Sequence, residues 1–117
     1  MRTFESLDAL VAAKGEVLGT SSWVEITQEA VNLFADATGD HQWIHVDVEK
    51  AKSEPFGGTI AHGFMTLSLI PRLMHEMYTV GGIKLAINYG LNKVRFPSPV
   101  PVGSKVRATS TLVDAED

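Results

Sequence analysis

The chain has 117 residues, no cysteine, and a net charge of −4 with its lysines and arginines scattered along the sequence. This length predicts one domain with its own hydrophobic core, and the missing cysteines exclude disulfides and thiolate metal sites. The charge disfavours nucleic-acid binding, and without a signal peptide or an apolar run of roughly 20 residues we expect a soluble cytoplasmic protein with no membrane partner.

The N-terminal half is predicted to contain a weak helix, a strand and a longer helix. Residues 5–14 have weak helical character, and residues 16–27 are rich in β-forming residues that partly alternate. Thr27 is suited to be the N-cap of the longer helix, which we expect to end at Gly39, and Asp47 to cap a second, short helix. The apolar face of the longer helix consists of Ala30, Val31, Phe34 and Ala37.

The C-terminal half is predicted to contain a buried helix followed by strands. Apolar residues recur at helical spacing in a helix over about 61–78, in which Pro71 should produce a kink. Residues 83–96 indicate one long strand, and residues 104–114 alternate as another. This order of strands and helices predicts an α+β protein with an antiparallel β-sheet and helices on one face.

The stretch "GDHQWIH", residues 39–45, concentrates groups that can exchange protons. Asp40 and His45 would not share a face of a regular helix, but the break at Gly39 predicts a loop in which they can converge. A carboxylate and an imidazole that converge on one water can take a proton from it and return another to a substrate. The alternative is that Asp40 only turns the chain and His45 packs against it.

A metal site is another interpretation of this region. His41 and His45 have the i, i+4 spacing of a helical zinc pair. A third ligand could come from Asp40, Asp47 or His62. However, the stretch lacks an H-E-x-x-H motif, and the glycine disfavours a helix through it, so we expect no metal.

His62 and Gly63 are predicted to open the central helix. The first N–H groups of a helix have no partner within it, so they could stabilise a developing enolate oxygen. Gly63 would allow a substrate to approach closely; the alternative is a glycine needed for tight packing between helix and sheet. Lys93 and Arg95 share one side of their predicted strand and could meet ligand phosphates, although solvated charges are the simpler interpretation.

With these motifs, the sequence resembles the MaoC-like family of (R)-specific enoyl-CoA hydratases. The segment "FADATGDHQWIHVD" (34–47) is similar to the hydratase 2 motif, with Gln42 and Trp43 in place of the commoner Asn-Pro pair, as in the nodulation-protein-N-like branch. "TIAHGFMTLSLIPRL" (59–73) resembles the family's central helix, and "KVRFPSPVPVGSKV" (93–106) its next strand and turn. The resemblance implies a hotdog fold, with an antiparallel sheet wrapped around the long central helix, and a homodimer that needs no cofactor.

The resemblance also implies an activity and its residues. Asp40 and His45 match the catalytic pair that adds water across the double bond of a trans-2-enoyl thioester, giving an (R)-3-hydroxyacyl thioester in fatty-acid metabolism. The carrier is CoA or acyl carrier protein, and the Gly63 amide matches the donor to the thioester oxygen. Residues expected to bind substrate are Gln42, Trp43, His62 and Phe64. Among these, the bulky Trp43 is expected to shape the acyl pocket.

Three other functions fit the same resemblance. They are a hotdog acyl-CoA thioesterase, a subunit that dehydrates 3-hydroxyacyl-acyl-carrier-protein, and a non-catalytic protein that binds acyl thioesters. Family members continue with further strands after the last strand predicted here. We therefore expect residues 1–117 to form a single MaoC-like hotdog domain that lacks its C-terminal strands and leaves a sheet edge uncovered.

Overall fold

The computed structural model describes residues 1–116. In chain order the elements are β1 (Arg2–Phe4), α1 (Leu7–Val11), β2 (Val17–Thr20), β3 (Val24–Glu25), α2 (Gln28–Thr38), α3 (Trp43–Val46), α4 (Val48–Lys52), α5 (Gly63–Ser68), α6 (Ile70–Met74), β4 (Tyr78–Val80), β5 (Lys105–Val106) and β6 (Thr109–Thr111). None of the helices within this range is long and apolar enough to cross a lipid bilayer.

The chain forms two compact units. The first consists of Met1–Ser22, Ile70–Val94 and the described residues from Arg107 onward. In this unit β2 and β6 are antiparallel, with Thr20 opposite Thr109, whereas β1 and β4 run parallel. The sequence predicted antiparallel pairing; the parallel pair is possible because a long connection lets the chain return in the same direction. Phe4, Ala13 and Leu18 form a buried apolar cluster in this unit.

The second unit contains all the predicted site residues. It consists of Trp23–Leu69 and Arg95–Val106. β3 and β5 are antiparallel, and α2 begins where the Thr27 hydroxyl accepts the Ala30 N–H at 3.1 Å, as predicted. Its buried core consists of Ile26, Val31, Ala61 and Met65.

The predicted central helix is shorter than expected and interrupted. α5 ends at Ser68, α6 covers Ile70–Met74, and the chain from Tyr78 forms β4 instead of helix. Pro71 lacks the N–H that would continue the helical ladder, and its ring crowds the preceding turn. This accounts for the interruption, which the sequence predicted only as a kink.

The predicted strand over residues 83–96 differs most from the structure. No ladder within residues 1–116 includes this segment. Its alternate apolar side chains are exposed: Ile83, Leu85, Ile87, Tyr89 and Leu91. Alternation shows which residues share a face, but a strand also needs a hydrogen-bonded neighbour. The strands predicted over 16–27 and 104–114 are present, each divided into two shorter strands.

Candidate active site

Two local features of the segment after α2 bring Asp40 and His45 close together. Gly39 ends α2 with a φ of 80°, a left-handed conformation that glycine adopts without strain. The Asp40 carboxylate then accepts the Gln42 N–H at 3.3 Å and turns the chain. The loop predicted for this whole stretch was wrong for its last residues, since Trp43–Val46 form α3 and carry His45 on a helix.

The ring of His45 is held in one orientation and one tautomer. His45 is only 7% exposed, and its Nδ1 lies 2.8 Å from the carbonyl oxygen of Ile60. Because a carbonyl can only accept, Nδ1 must carry the proton, and the lone pair of the neutral ring is on Nε2. His45 therefore offers a base at a fixed position.

His62 joins the two candidate catalytic residues. It is 2% exposed, and its Nε2–H donates to the main-chain carbonyl of Asp40 at 2.9 Å. Its ring stacks on that of His45, with centroids 3.9 Å apart and planes inclined by 23°. The second ring nitrogen, Nδ1, is buried with no hydrogen-bond partner among the described residues.

The distances between these side chains suit a single bridging water. One carboxylate oxygen of Asp40 and one ring nitrogen each of His45 and His62 lie within 4.8 Å of one another. Two hydrogen bonds of about 2.8 Å that meet at a tetrahedral angle span about 4.6 Å. Since Asp40 is exposed and His45 borders a cavity, water can reach the space between them.

The same cluster is a poor fit for a metal ion. A ring nitrogen coordinates in the plane of its ring, and two stacked rings direct their lone pairs side by side instead of toward one ion. His41 is not part of the cluster: it is exposed and lies 2.9 Å from the carboxylate of Asp36, which raises its pKa through that hydrogen bond.

A cavity of about 440 Å³ lies beside His45, within the size range of small-molecule sites. Its lining includes His45, Phe56, Gly63, Thr66, Arg95 and Phe96.

The Gly63 amide has no hydrogen-bond partner among the described residues, as expected in the first turn of a helix. A Cβ on Gly63 would lie 2.7 Å from the Phe96 ring, so any larger residue would displace that ring. Both interpretations of Gly63, close packing and a free donor, thus apply.

The residues expected to bind substrate lie outside this lining: Gln42, Trp43, His62 and Phe64. Trp43 is half-buried beneath Lys50, whose Nζ is 4.5 Å from the indole centroid. Phe64 is exposed and meets Phe96 edge-on, with centroids 5.8 Å apart. The phenylalanine side chains that border the cavity are instead Phe56 and Phe96.

Sequence analysis missed two residues that support His45. The Gln28 side chain donates to the main-chain carbonyl of His45 at 2.8 Å and accepts from the hydroxyl of Thr59 at 2.6 Å. Gln28 thereby ties α2 to α3 and to the segment that carries the Ile60 carbonyl. No local signal distinguishes Gln28 from an ordinary first-turn residue, because its partners lie 17 and 31 positions away.

Comparison with known sequences shows clear relatives. Residues 10–117 match the family described as MaoC-like domain. The whole chain is 76% identical to 3-hydroxyacyl-thioester dehydratase Z of Mycobacterium tuberculosis and covers 78% of that protein. Nodulation protein N of Rhizobium leguminosarum is 49% identical over 87% of this chain and 65% of its own length.

Two solved structures have a similar fold. The R-hydratase PhaJ1 of Pseudomonas aeruginosa aligns with a TM-score of 0.64 and 26% identity over 82% of this chain, which spans 58% of that protein. A monoamine oxidase regulatory protein from Archaeoglobus aligns with a TM-score of 0.72 and 27% identity, over 92% of this chain and 70% of that one. The predicted α+β hotdog fold is thereby confirmed.

Proposed function

This chain belongs to the MaoC-like dehydratase family of hydro-lyases, and we propose that it hydrates trans-2-enoyl-CoA reversibly to (R)-3-hydroxyacyl-CoA. The observation that carries the proposal is the convergence of Asp40 and His45 at one-water spacing, with His45 and Gly63 both lining one cavity. The relative named a 3-hydroxyacyl-thioester dehydratase would catalyse this reaction in the opposite direction. In both directions the same groups move the same protons.

The proposed proton transfers are supported by the hydrogen bonds of the site. His45 takes a proton from water at Nε2, because the Ile60 carbonyl holds the other nitrogen protonated. The water oxygen attacks C3 of the enoyl thioester, and the imidazolium returns a proton to C2. The Asp40 carboxylate orients the water and stabilises the transient imidazolium charge.

The cavity supplies the remaining requirements of the reaction. Attack at C3 places negative charge on the thioester oxygen, and the unpartnered Gly63 amide can donate to it. Apolar side chains, among them Phe56 and Phe96, border the space in which the acyl chain would lie. The chemistry needs no redox or electron-sink cofactor, since water and the thioester supply every atom of the product.

The test is hydration of crotonyl-CoA, followed as loss of the conjugated enoyl absorbance. Asp40→Asn and His45→Gln are each expected to lower kcat/KM by at least about 100-fold while thermal unfolding shows an intact fold. Coupling the product to an (R)-specific dehydrogenase, with an (S)-specific one as control, reports the stereochemistry. Wild-type rates in both variants, or no hydration by the unmodified chain, would refute the proposal.

CoA is proposed as the carrier because of the relatives. A 3-hydroxybutyryl-CoA dehydratase from Methylorubrum extorquens is 37% identical over 70% of this chain, whereas the dehydratase named for acyl carrier protein, from Arabidopsis thaliana, is 25% identical over 91%. Thiol release without loss of the enoyl absorbance would indicate a thioesterase, and binding without turnover a non-catalytic protein. A role in fatty-acid metabolism, the single domain, the homodimer and the cytoplasmic location remain predictions.

A further inference from the structure

We propose that His62 is a positioning residue for the hydration, holding the Asp40 main chain and the His45 ring in their reactive arrangement. This inference rests on the proposed function and differs from the substrate contact that the sequence suggested. His62 is 2% exposed and is not among the residues that line the cavity. We therefore expect it to act on a bound thioester through the residues that it touches.

The first contact fixes the backbone of Asp40. Asp40 follows the glycine that ends α2 and precedes α3, so no helical hydrogen bond holds it. Its carbonyl accepts the Nε2–H of His62 at 2.9 Å, which links this turn to the residue preceding α5. Without this bond, we expect the Asp40 carboxylate to move relative to His45.

The second contact fixes the ring of His45. One face of His62 stacks on His45 at 3.9 Å, and Phe34 packs against His62 with centroids 4.9 Å apart. The His62 ring is thus supported from the core and in turn supports His45. Together with the bond to the Ile60 carbonyl, the stack restricts both the tilt and the rotation of the His45 ring.

Packing alone does not explain why position 62 carries an imidazole. Nδ1 of His62 is buried with no hydrogen-bond partner among residues 1–116, and a phenylalanine would place no polar atom there. The side chain makes no capping bond to α5. What distinguishes histidine here from an apolar ring is the Nε2–H donor that reaches the Asp40 carbonyl.

Two variants separate the donor from the ring. His62→Phe keeps a flat ring but loses the donor, whereas His62→Gln keeps an N–H donor of similar reach but loses the ring. Each should lower kcat for crotonyl-CoA hydration by about tenfold or more, since small displacements of reacting groups are costly, and leave KM within about twofold. The matched control is Phe4→Leu, which removes a buried ring from the core of the first unit and should leave kcat within about twofold.

A second readout does not depend on turnover. Proton resonances of the His45 ring should carry a ring-current shift from the stacked imidazole, which His62→Gln removes and His62→Phe retains. An inactive unmodified chain would refute the proposed function, and the resonances would still test the stack. The positioning role is overturned by wild-type kcat in both His62 variants, by a rise in KM alone, by an equal kcat loss in Phe4→Leu, or by unchanged resonances in His62→Gln.

Discussion

Replacing Gly63 with alanine adds one methyl group where α5 begins against Phe96. The added Cβ would lie 2.7, 2.9 and 3.0 Å from three carbons of the Phe96 ring, whereas non-bonded carbons favour about 3.5–4.0 Å. The ring must therefore move by about 1 Å. Gly63 is not among the glycines with positive φ, so the effect is steric and free of backbone strain.

The expected loss of stability is small because opposing effects compete. Overpacking costs typically about 1–3 kcal/mol, and the lower end applies because Phe96 is 47% exposed and can move. Removing a glycine stabilises the folded state by about 0.4–1 kcal/mol through the unfolded chain. We therefore expect the free energy of unfolding to fall by about 0–2 kcal/mol.

The expected loss of activity is larger, because Gly63 and Phe96 both border the cavity. A displacement of about 1 Å near the reacting atoms typically lowers the rate by about 100-fold, which corresponds to about 2.7 kcal/mol of transition-state stabilisation. Gly63→Ala should therefore lose activity out of proportion to its loss of stability. Crotonyl-CoA kinetics and thermal unfolding of the same preparations measure both quantities.

Two further variants make the experiment decisive. Gly58→Ala is the matched control, since a Cβ there would meet nothing within 4 Å, and its kcat/KM should stay at the wild-type value. In the double variant Gly63→Ala/Phe96→Leu, the smaller side chain makes room, and kcat/KM should recover at least about tenfold over the single variant. Full activity of Gly63→Ala, or no recovery in the double variant, would show that the contact with Phe96 does not control the site.

Three other predictions concern residues around the site. Gln28→Ala removes the donor to the His45 carbonyl and should lower the free energy of unfolding by about 1–3 kcal/mol in urea titrations; an unchanged midpoint would contradict this. The hydrogen bond that the His41 ring donates to the Asp36 carboxylate raises the pKa of His41 above 6.5, so its stabilising effect is complete below pH 6.5 and lost as pH rises through the folded pKa. An NMR titration should show Asp36→Asn returning the pKa of His41 toward 6.5, and an equal midpoint in both proteins would disprove the pairing. Trp43→Phe should leave the preference for acyl-chain length unchanged across a series of enoyl-CoA substrates, because Trp43 does not line the cavity; a shifted preference would place it at the acyl site.

The features that the sequence determined are those whose causes lie within a few residues. Thr27 caps α2 and Asp47 caps α4 through N–H groups three positions away, and Gly39 ends α2 through its own left-handed conformation. The break at Gly39 also predicted that Asp40 and His45 can converge, without knowledge of the rest of the fold. Such caps can be predicted from the sequence because covalent spacing fixes which N–H group lies next to each capping residue.

Only the tertiary structure decided how these groups are held. The tautomer of His45 depends on the Ile60 carbonyl, 15 positions away, and Asp40 is tied to His62, 22 positions away. The wall beside Gly63 comes from Phe96, whose segment 83–96 was predicted as a strand although no partner strand pairs with it in the described range. Spacing in the sequence does not predict such contacts, because the packing of distant segments determines which carbonyl or ring lies against each side chain.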